Sequence, residues 1–532
     1  MKANGAVSIL AAAVCLLMTC TAWGRVIYVD DDAPTGGNGA SWARAYRFLQ
    51  DALAEADNSE MPIEIRMAQG IYKPDTNSAH PDGTGDRAAG FCLLEDVSIL
   101  GGFAGLGTPD PNIVDIALYE TVLTGDLAGD DVAVFDACDL LAEPSRDENS
   151  YAVVTAAACS RSAVLCGVVV TSGSAMEPQS GQQGAGLLLS YYGADCCPSI
   201  RDCTFRGNRA YHGGAAFVIG AAPEFVHCRF LQNAAMGGGA IRTSAWRGPW
   251  TTSACDLAIR GCAFAGNHAL DCGGAIHMGA GGPFTIEASS FTKNVARTGG
   301  AMYVSVRTSL TGCLFSRNAA YEGGGAVYSN GYELNIASCT FADNAAPAGM
   351  ALVCLAPRTT ITNTICRNGG DDRYGEILIG AFTGVSVTYS DIHGGWSGEG
   401  NIDLDPLFAS PAYWDPNGTV DDPSDDFFVE GDYHLKSQAG RWDPNGGSWV
   451  QDDVTSPCID AGDPNSPIGE EPFPNGGRIN MGAYGGTAQA SKSYFGEPVS
   501  DTIIAGDING DGKVDWKDLE ILSHHWLQGY HE

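Results

Sequence analysis

Between Cys203 and Ala351 one short phrase is written six times, and that repetition leaves few folds open to the chain. The first copy runs Cys203-Thr204-Phe205-Arg206-Gly207-Asn208 and closes on Gly213-Gly214-Ala215. It returns at Phe230/Asn233/Ala240, Phe264/Asn267/Ala275, Phe291/Asn294/Ala301 and Phe315/Asn318/Ala326, with a decayed sixth copy at Phe341/Asn344/Gly349. Successive phenylalanines lie 25, 34, 27, 24 and 26 residues apart. A period in the twenties, with no helical spacing inside it, is the mark of a solenoid.

The local pattern says which solenoid. Cys and Phe sit two residues apart in Cys203/Phe205, Cys228/Phe230, Cys262/Phe264, Cys313/Phe315 and Cys339/Phe341. On a strand such residues share a face, so both point inward. Gly-Gly-Ala followed by an apolar residue, as in Ala240-Ile241 and Ala326-Val327, supplies a tight corner and a second short strand. Two strands and a variable third side fill one turn of a parallel β-helix, and turns stack about 4.8 Å apart. The asparagines would then form a column whose amides bond from turn to turn. A leucine-rich horseshoe needs leucines at fixed offsets that these turns lack. A helical repeat would carry Gly-Gly in every copy at about 1 kcal/mol per glycine. The expected class is all-β: a right-handed parallel β-helix with a short N-terminal capping helix and a small C-terminal EF-hand-like calcium loop plus helix.

The chain divides accordingly. Residues 1–24 read as a signal peptide: Lys2, an apolar run from Ala6 to Met18, and Ala22 and Gly24 at the −3 and −1 positions. Residues 25–150 hold the cap and first turns, with Ile63–Met67 and Val97–Leu100 as early strands. Ser41 to Asp57, with Trp42, Tyr46, Leu49 and Leu53 at helical spacing and Ser41 as N-cap, reads as a helical lid over the open first turn. Residues 151–400 are the repeat core, 401–495 the last turns and closing segment, and 496–532 a separate module. Export places the protein outside the cell or on its surface. No other apolar run reaches the ~18 residues that span a bilayer, so the mature chain has no transmembrane segment. A formal charge of −34 argues against a nucleic-acid partner.

Of 18 cysteines, the five preceding a repeat Phe read as a buried column of small apolar side chains. Cys196-Cys197, Cys255 and Cys272 lie off that column and are the better disulfide candidates, with pairing left open.

Two stretches carry chemistry. The excursion from Thr243 to Asp256 contains Trp246, Arg247 and Trp250, whose rings can stack on sugars while the guanidinium pairs with a uronate. Lys293 and Arg317, with Asp343 and Arg367, occupy the third position of Phe-x-x-Asn, as a mixed column facing an anionic polymer or as alternating charges on a solvated ladder. At the C-terminus Asp507, Asn509, Asp511, Asp515 and Asp518 place oxygen ligands at loop positions 1, 3, 5, 9 and 12. Gly512 falls at position 6 and the Lys513 carbonyl at position 7, which is EF-hand spacing for calcium with Asp in place of the final Glu.

The paired Phe-x-x-Asn and Gly-Gly-Ala-Ile/Val motifs resemble the repeats of the polymorphic outer-membrane protein family of bacterial surface proteins, over about a third of the chain. That family normally continues into a C-terminal β-barrel, and no long alternating strand array follows here. Pro457–Gly462 and Arg478–Gly486 resemble the closing segment of secreted bacterial β-helix proteins. The calcium loop with its following helix resembles one half of a type I dockerin, which normally has two copies. That resemblance implies a cohesin-like partner. Together these imply a secreted or cell-surface β-helix for adhesion or polysaccharide binding, with a glycan as partner and calcium as cofactor. The alternative is an extracellular polysaccharide lyase or glycoside hydrolase acting on anionic polysaccharide. No catalytic residue emerges, because the repeats hold neither clustered aspartates on one face nor histidines in register.

Overall fold

A computed structural model describes residues 24–59, 61–177, 184–190, 196–244, 257–279, 282–369, 375–381, 383–411, 413–415, 427–496, 506, 508 and 513–528. Residues 1–23, which fall in the signal peptide expected at 1–24, lie outside this set, as do Trp246, Arg247, Trp250, Cys255, Asp507, Asn509 and Asp511.

One coil shows the plan. Ser199–Arg201, Thr204–Arg206, Arg209–His212 and Ala216–Ile219 are short strands separated by sharp corners. Stacking the coils produces four parallel sheets. The first has 12 strands from Arg25–Val29 to Gly384–Thr388, and the second has 11 from Gly70–Tyr72 to Asp391–Ile392. The third has 6 strands from Ser174–Ala175 to Ala319–Gly323, and the fourth has 10 from Phe91–Leu93 to Ile377–Ile379. The expected all-β parallel β-helix is therefore the fold.

The register follows the sequence repeat. Phe205 pairs with Phe230, and the column continues through Phe264, Phe291, Phe315 and Phe341. All six rings are buried and neighbouring rings stack, with centroids 5.2, 4.5, 4.7, 4.7 and 4.7 Å apart. Each buried Phe contributes about 1.5–3 kcal/mol from apolar area, before its ring contacts are counted.

At the corner between the second and third sheets, the residue before each Asn is left-handed, with φ of 51° at Gln232 and 56° at Lys293. That bend aims the asparagines inward. The backbone N and Nδ2 of Asn208 both donate to Asn233 Oδ1, at 3.1 and 3.0 Å. The same pair of bonds repeats through Asn267, Asn294, Asn318, Asn344 and Asn368. Asn368 then donates to the buried Glu376 carboxylate, which ends the ladder.

The cysteine corner is buried as expected, but it is more than an apolar column. Cys228 N donates to Cys262 Sγ at 3.3 Å and Cys313 N to Cys339 Sγ at 3.4 Å. Ser289, Thr364 and Ser390 take the same place, their Oγ atoms accepting from Cys262 N, Cys339 N and Thr364 N. The position selects a small side chain that can accept a corner N–H.

Two expectations are corrected in form. The N-terminal lid is not one helix from Ser41 to Asp57. It is a 3-10 turn at Trp42–Arg44 followed by an α-helix at Leu49–Ala56, and the Ser41 side chain caps nothing. Tyr46 interrupts it by bridging to Val29, exchanging backbone bonds with Tyr28 and Asp30. The helix still closes the first coil, burying Leu49, Ala52, Leu53 and Ala56 against the core that holds Ile27 and Ile65. Within 401–495, Ile402 still makes a parallel bridge to Asp391, but the described strands beyond it leave the coil pattern. They form antiparallel hairpins pairing Phe408–Ser410 with Asp432–Leu435, Tyr413–Asp415 with Phe427–Val429, and Arg441–Asp443 with Ser448–Val450. A turn such as Asp443-Pro444-Asn445-Gly446-Gly447 reverses the chain within a few residues, whereas a parallel neighbour needs a long crossover. This segment lies on the second sheet through Leu435, Cys458, Ile459 and Met481 against Ile365, and through Ala483 N donating to Thr340 Oγ1 at 2.9 Å.

Candidate functional site

Inward residues are nearly the same in every coil, so chemistry has to be sought in the outward rows. On the fourth sheet the residue after the buried Ala-apolar pair points out. Register places Phe217, Arg242, His277, Tyr303 and Tyr328 in one such row. On the third sheet His212, Gly237, Cys272 and Thr298 form a neighbouring row.

These rows meet at a re-entrant corner. Arg242 Nη1 lies 2.7 Å from His212 Nδ1, and Cys272 Sγ lies 3.3 Å from His277 Nδ1. A side chain on Gly237 would come within 2.7 Å of Arg242 Nη1 and 3.3 Å of His277 Nδ1, so its absence makes room for the guanidinium. Because arginine can only donate, His212 Nδ1 is the acceptor and its proton sits on Nε2. Further along, His277 packs edge-on to Tyr303 at 5.0 Å, and Tyr303 stacks on Tyr328 at 5.3 Å. Tyr303 Oη accepts from Asn330 Nδ2 at 2.7 Å. At about 4.8 Å per coil, the row from Phe217 to Tyr328 extends about 19 Å.

The electrostatics of this corner are one-sided. Burial, then the charge on Arg242, pushes His277 down to about 3 and His212 down to about 4. Both imidazoles are neutral at pH 7. Burial lowers Arg242 itself, yet it stays charged. Burial, then Asp271, pushes the Cys272 thiol up to about 12, which removes it as a nucleophile. Among the described residues no carboxylate pairs with Arg242, and the nearby Asp271 is engaged by Arg297 instead. Neither imidazole nor the Cys272 thiol titrates near neutrality, the range in which a general acid or base works best. The corner can hold an anion on Arg242, offer the His212 Nε2–H as a donor, and present aromatic side chains for apolar contact.

The residues singled out from sequence are placed as follows. Lys293 and Arg317 stand in successive coils at the asparagine corner, not at the Arg242 corner, with φ of 56° at both. Lys293 pairs with Glu430 of the C-terminal segment, and Asp343 in the same column accepts from Tyr433 Oη at 2.9 Å. Arg367 is held by Asp391 and Asp403 at 3.1 and 3.0 Å. Trp246, Arg247 and Trp250 lie outside the described residues, in the excursion that leaves the Arg242 strand after Ser244. Sequence reasoning missed Arg242 and His277. Their signal was available in the alternation after each Gly-Gly-Ala, where the outward position reads Phe, Arg, His, Tyr, Tyr.

Of the calcium-loop residues, Lys513, Asp515 and Asp518 are described. The Asp518 carboxylate accepts from Ile508 N and Asp515 N, both at 2.7 Å, and this closes the loop onto the helix Trp516–Gln528. Elsewhere Asp126, Asp130 and Glu148 bring carboxylate oxygens within 4.8 Å of one another. Asp126 is already occupied by the backbone N–H groups of Gly129, Asp130 and Asp131. No helix among the described residues is long and apolar enough to cross a membrane.

Comparison with known proteins bears on the fold. No curated protein matches the chain. Residues 405–462 match the family described as disaggregatase related. The crystal structure of pectate lyase Pel9A is similar at a TM-score of 0.37 and 11% identity, covering 86% of this chain and 96% of that one. Residues 250–398 match the family described as right handed beta helix region, in keeping with the right-handed parallel β-helix built from the stacked coils.

Proposed function

We propose that this chain is a secreted or cell-surface β-helix that binds an anionic polysaccharide along the Arg242–Tyr328 row. One observation carries the reading: Arg242 is a half-buried guanidinium with no carboxylate partner among the described residues, set between two neutral imidazoles. A cation withdrawn from water without an opposite charge is costly, so a site that keeps one suits an anionic ligand. The Tyr303 and Tyr328 rings, stacked on each other, continue the same row and offer apolar ring edges beside the charge. Trp246, Arg247 and Trp250, in the excursion that follows the Arg242 strand, add to the reading by their chemistry. A repeating ligand also suits a repeating surface, since each coil presents its outward residue at the same interval.

The reading is of binding without cleavage, because nothing in the row is poised for proton transfer at neutral pH. The C-terminal module is assigned to calcium through Asp507, Asn509, Asp511, Lys513, Asp515 and Asp518, with attachment to a cohesin-like partner as its role.

Calorimetry with oligomers of galacturonate and with an uncharged glucan of equal length tests the proposal. The acidic oligomer binds more tightly, and Arg242→Gln weakens it at least tenfold, about 1.4 kcal/mol, within the range for a charged hydrogen bond. Unchanged affinity in Arg242→Gln would overturn the assignment of the site. Release of unsaturated or reducing ends at enzymatic rates would replace binding with the lyase or hydrolase reading.

A further inference from the structure

Fifteen cysteines are described, and Cys159 and Cys196 are not joined by a disulfide in this structure. Most of the buried ones on the corner column are engaged by the backbone. Cys203 Sγ lies 3.5 Å from Leu165 O and 3.1 Å from Arg201 O, while Cys228 Sγ lies 3.4 Å from Ile200 O. Serine and threonine replace cysteine at other levels of that column, as expected for a hydrogen-bonding position and not for a cross-link.

Cys159 and Cys196 are different. Their sulfurs face each other at 3.9 Å, and both residues are 1% exposed within the main core. They stand in successive coils at the corner that follows the fourth sheet: Cys159 comes after Val154–Ala157 and Cys196 after Leu187–Ser190. Cys197 N donates to Cys159 O at 2.7 Å. In a parallel ladder a carbonyl bonds to the N–H of the residue after its partner, so Cys159 and Cys196 stand directly opposite. Neighbouring strands are about 4.8 Å apart, within the Cα separation of about 4.4–6.8 Å that a disulfide spans.

We infer that Cys159 and Cys196 form a disulfide that staples two successive coils when the chain folds in an oxidising compartment. Cys196, a disulfide candidate from the sequence with its pairing left open, thereby gains a partner across the ladder. The Cys196 thiolate attacks a disulfide of a thiol–disulfide exchange catalyst, forming a mixed disulfide and releasing one catalyst thiolate. Cys159, deprotonated, then attacks the Cys196 sulfur and releases the second. The two protein thiols lose two electrons and two protons, and the catalyst disulfide is reduced to two thiols. Because both sulfurs are buried in the finished fold, the exchange belongs to folding. The link would close a loop of the chain between residues 159 and 196, and closing a loop of this length restricts the unfolded chain.

Tryptic mapping of the full chain, isolated from an oxidising export compartment and alkylated under denaturing conditions, tests this. Trypsin separates Asp147–Arg161 from Ser162–Arg201. The expected result is a cross-linked pair whose mass is about 2 Da below the sum of the two reduced peptides, and which separates on reduction. The link should vanish in Cys196→Ser and persist in Cys197→Ser and Cys166→Ser. Full alkylation of both Cys159 and Cys196 in the unreduced wild type would overturn the inference, and so would a cross-link that survives Cys196→Ser. Should the serine variant fail to fold, the wild-type alkylation pattern decides alone.

Discussion

Replacing Asn267 by alanine removes one rung from the middle of the amide ladder, and the structure allows its cost to be worked out. Asn267 Oδ1 accepts from Asn233 N and Asn233 Nδ2, both at 3.0 Å. Its Nδ2 donates to Phe230 O and Asn294 Oδ1, both at 2.9 Å. At about 1 kcal/mol per net bond, four lost bonds come to about 4 kcal/mol. The methyl group restores none of them, and the Asn233 N–H is left in a site with no exposure. Because a solenoid is stabilised coil by coil, the loss should appear as local opening more than as uniform weakening. Native-state hydrogen exchange reads this directly: the amide of Asn233 should lose protection by two to three decades, while amides near Ile65 stay unchanged. Asn267→Asp sharpens the test, because it keeps the acceptor but turns a carboxylate toward Phe230 O and Asn294 Oδ1. It should be at least as damaging as alanine at pH 7 and recover as the carboxyl is protonated. Exchange at Asn233 within a factor of five of wild type in Asn267→Ala would refute the reasoning, since the ladder would then be ornament on a fold held by its apolar core.

Other expectations follow from the same structure. Phe264→Ala, in a ring stacked on both sides, should cost about 3–5 kcal/mol by chemical denaturation. Burial pushes the Glu471 carboxyl up to about 7 from an ordinary 4.5, so the folded state binds more protons between those values. Its contribution is therefore full below about pH 4.5 and falls as pH rises to about 7, by up to about 3 kcal/mol. Glu471→Gln should flatten that decline in urea midpoints measured from pH 5 to pH 8, and an unaltered slope would exclude Glu471 as its source. Terbium emission sensitised by Trp516 should report cation binding at the C-terminal loop, and should be lost in Asp507→Ala and in Asp518→Ala if that loop holds the ion.

What sequence could reveal divides along the direction a side chain faces. Inward positions recur because a fixed interior accepts few side chains, so Phe205 to Phe341 and Asn208 to Asn344 were legible as columns before any coordinates. The chain order of the cap was legible too, but the break at Tyr46 was not, because a bridge to Val29 overrides the helical spacing of Trp42, Tyr46 and Leu49. The corner thiols were read as apolar filler because hydrogen bonds to Cys262 and Cys339 depend on the level above, which a single repeat does not show. Residues 401–495 lacked a repeat, and without one there was no register to distinguish hairpins from coils. Lys293 and Arg317 share a position in the repeat, but the C-terminal segment that brings Glu430 to Lys293 is more than 100 residues away in sequence and gives no local signal.

The division also explains where a function can sit on this fold. Each corner fixes its inner side chain: an amide where the ladder runs, a thiol or hydroxyl where an N–H needs an acceptor, no side chain where Gly-Gly turns. Losing the amide or the thiol or hydroxyl acceptor leaves a buried N–H unmet, and a side chain on the second glycine meets backbone, as at Gly239, where a Cβ would lie 2.1 Å from Gly274 O. The ladder shows how strict that is at its end, where no further asparagine follows Asn368. There both of its donors are met by Glu376, a carboxylate 3% exposed whose burial raises its pKa. A buried acid is an expensive replacement for an amide oxygen, and its use indicates that an unmet pair of donors would cost more. Outward positions carry no such obligation. Variation accumulates there, in the Phe217–Arg242–His277–Tyr303–Tyr328 row and in the excursions between coils. A cation without a carboxylate partner among the described residues is tolerable in that row because the coil beneath it is stabilised independently.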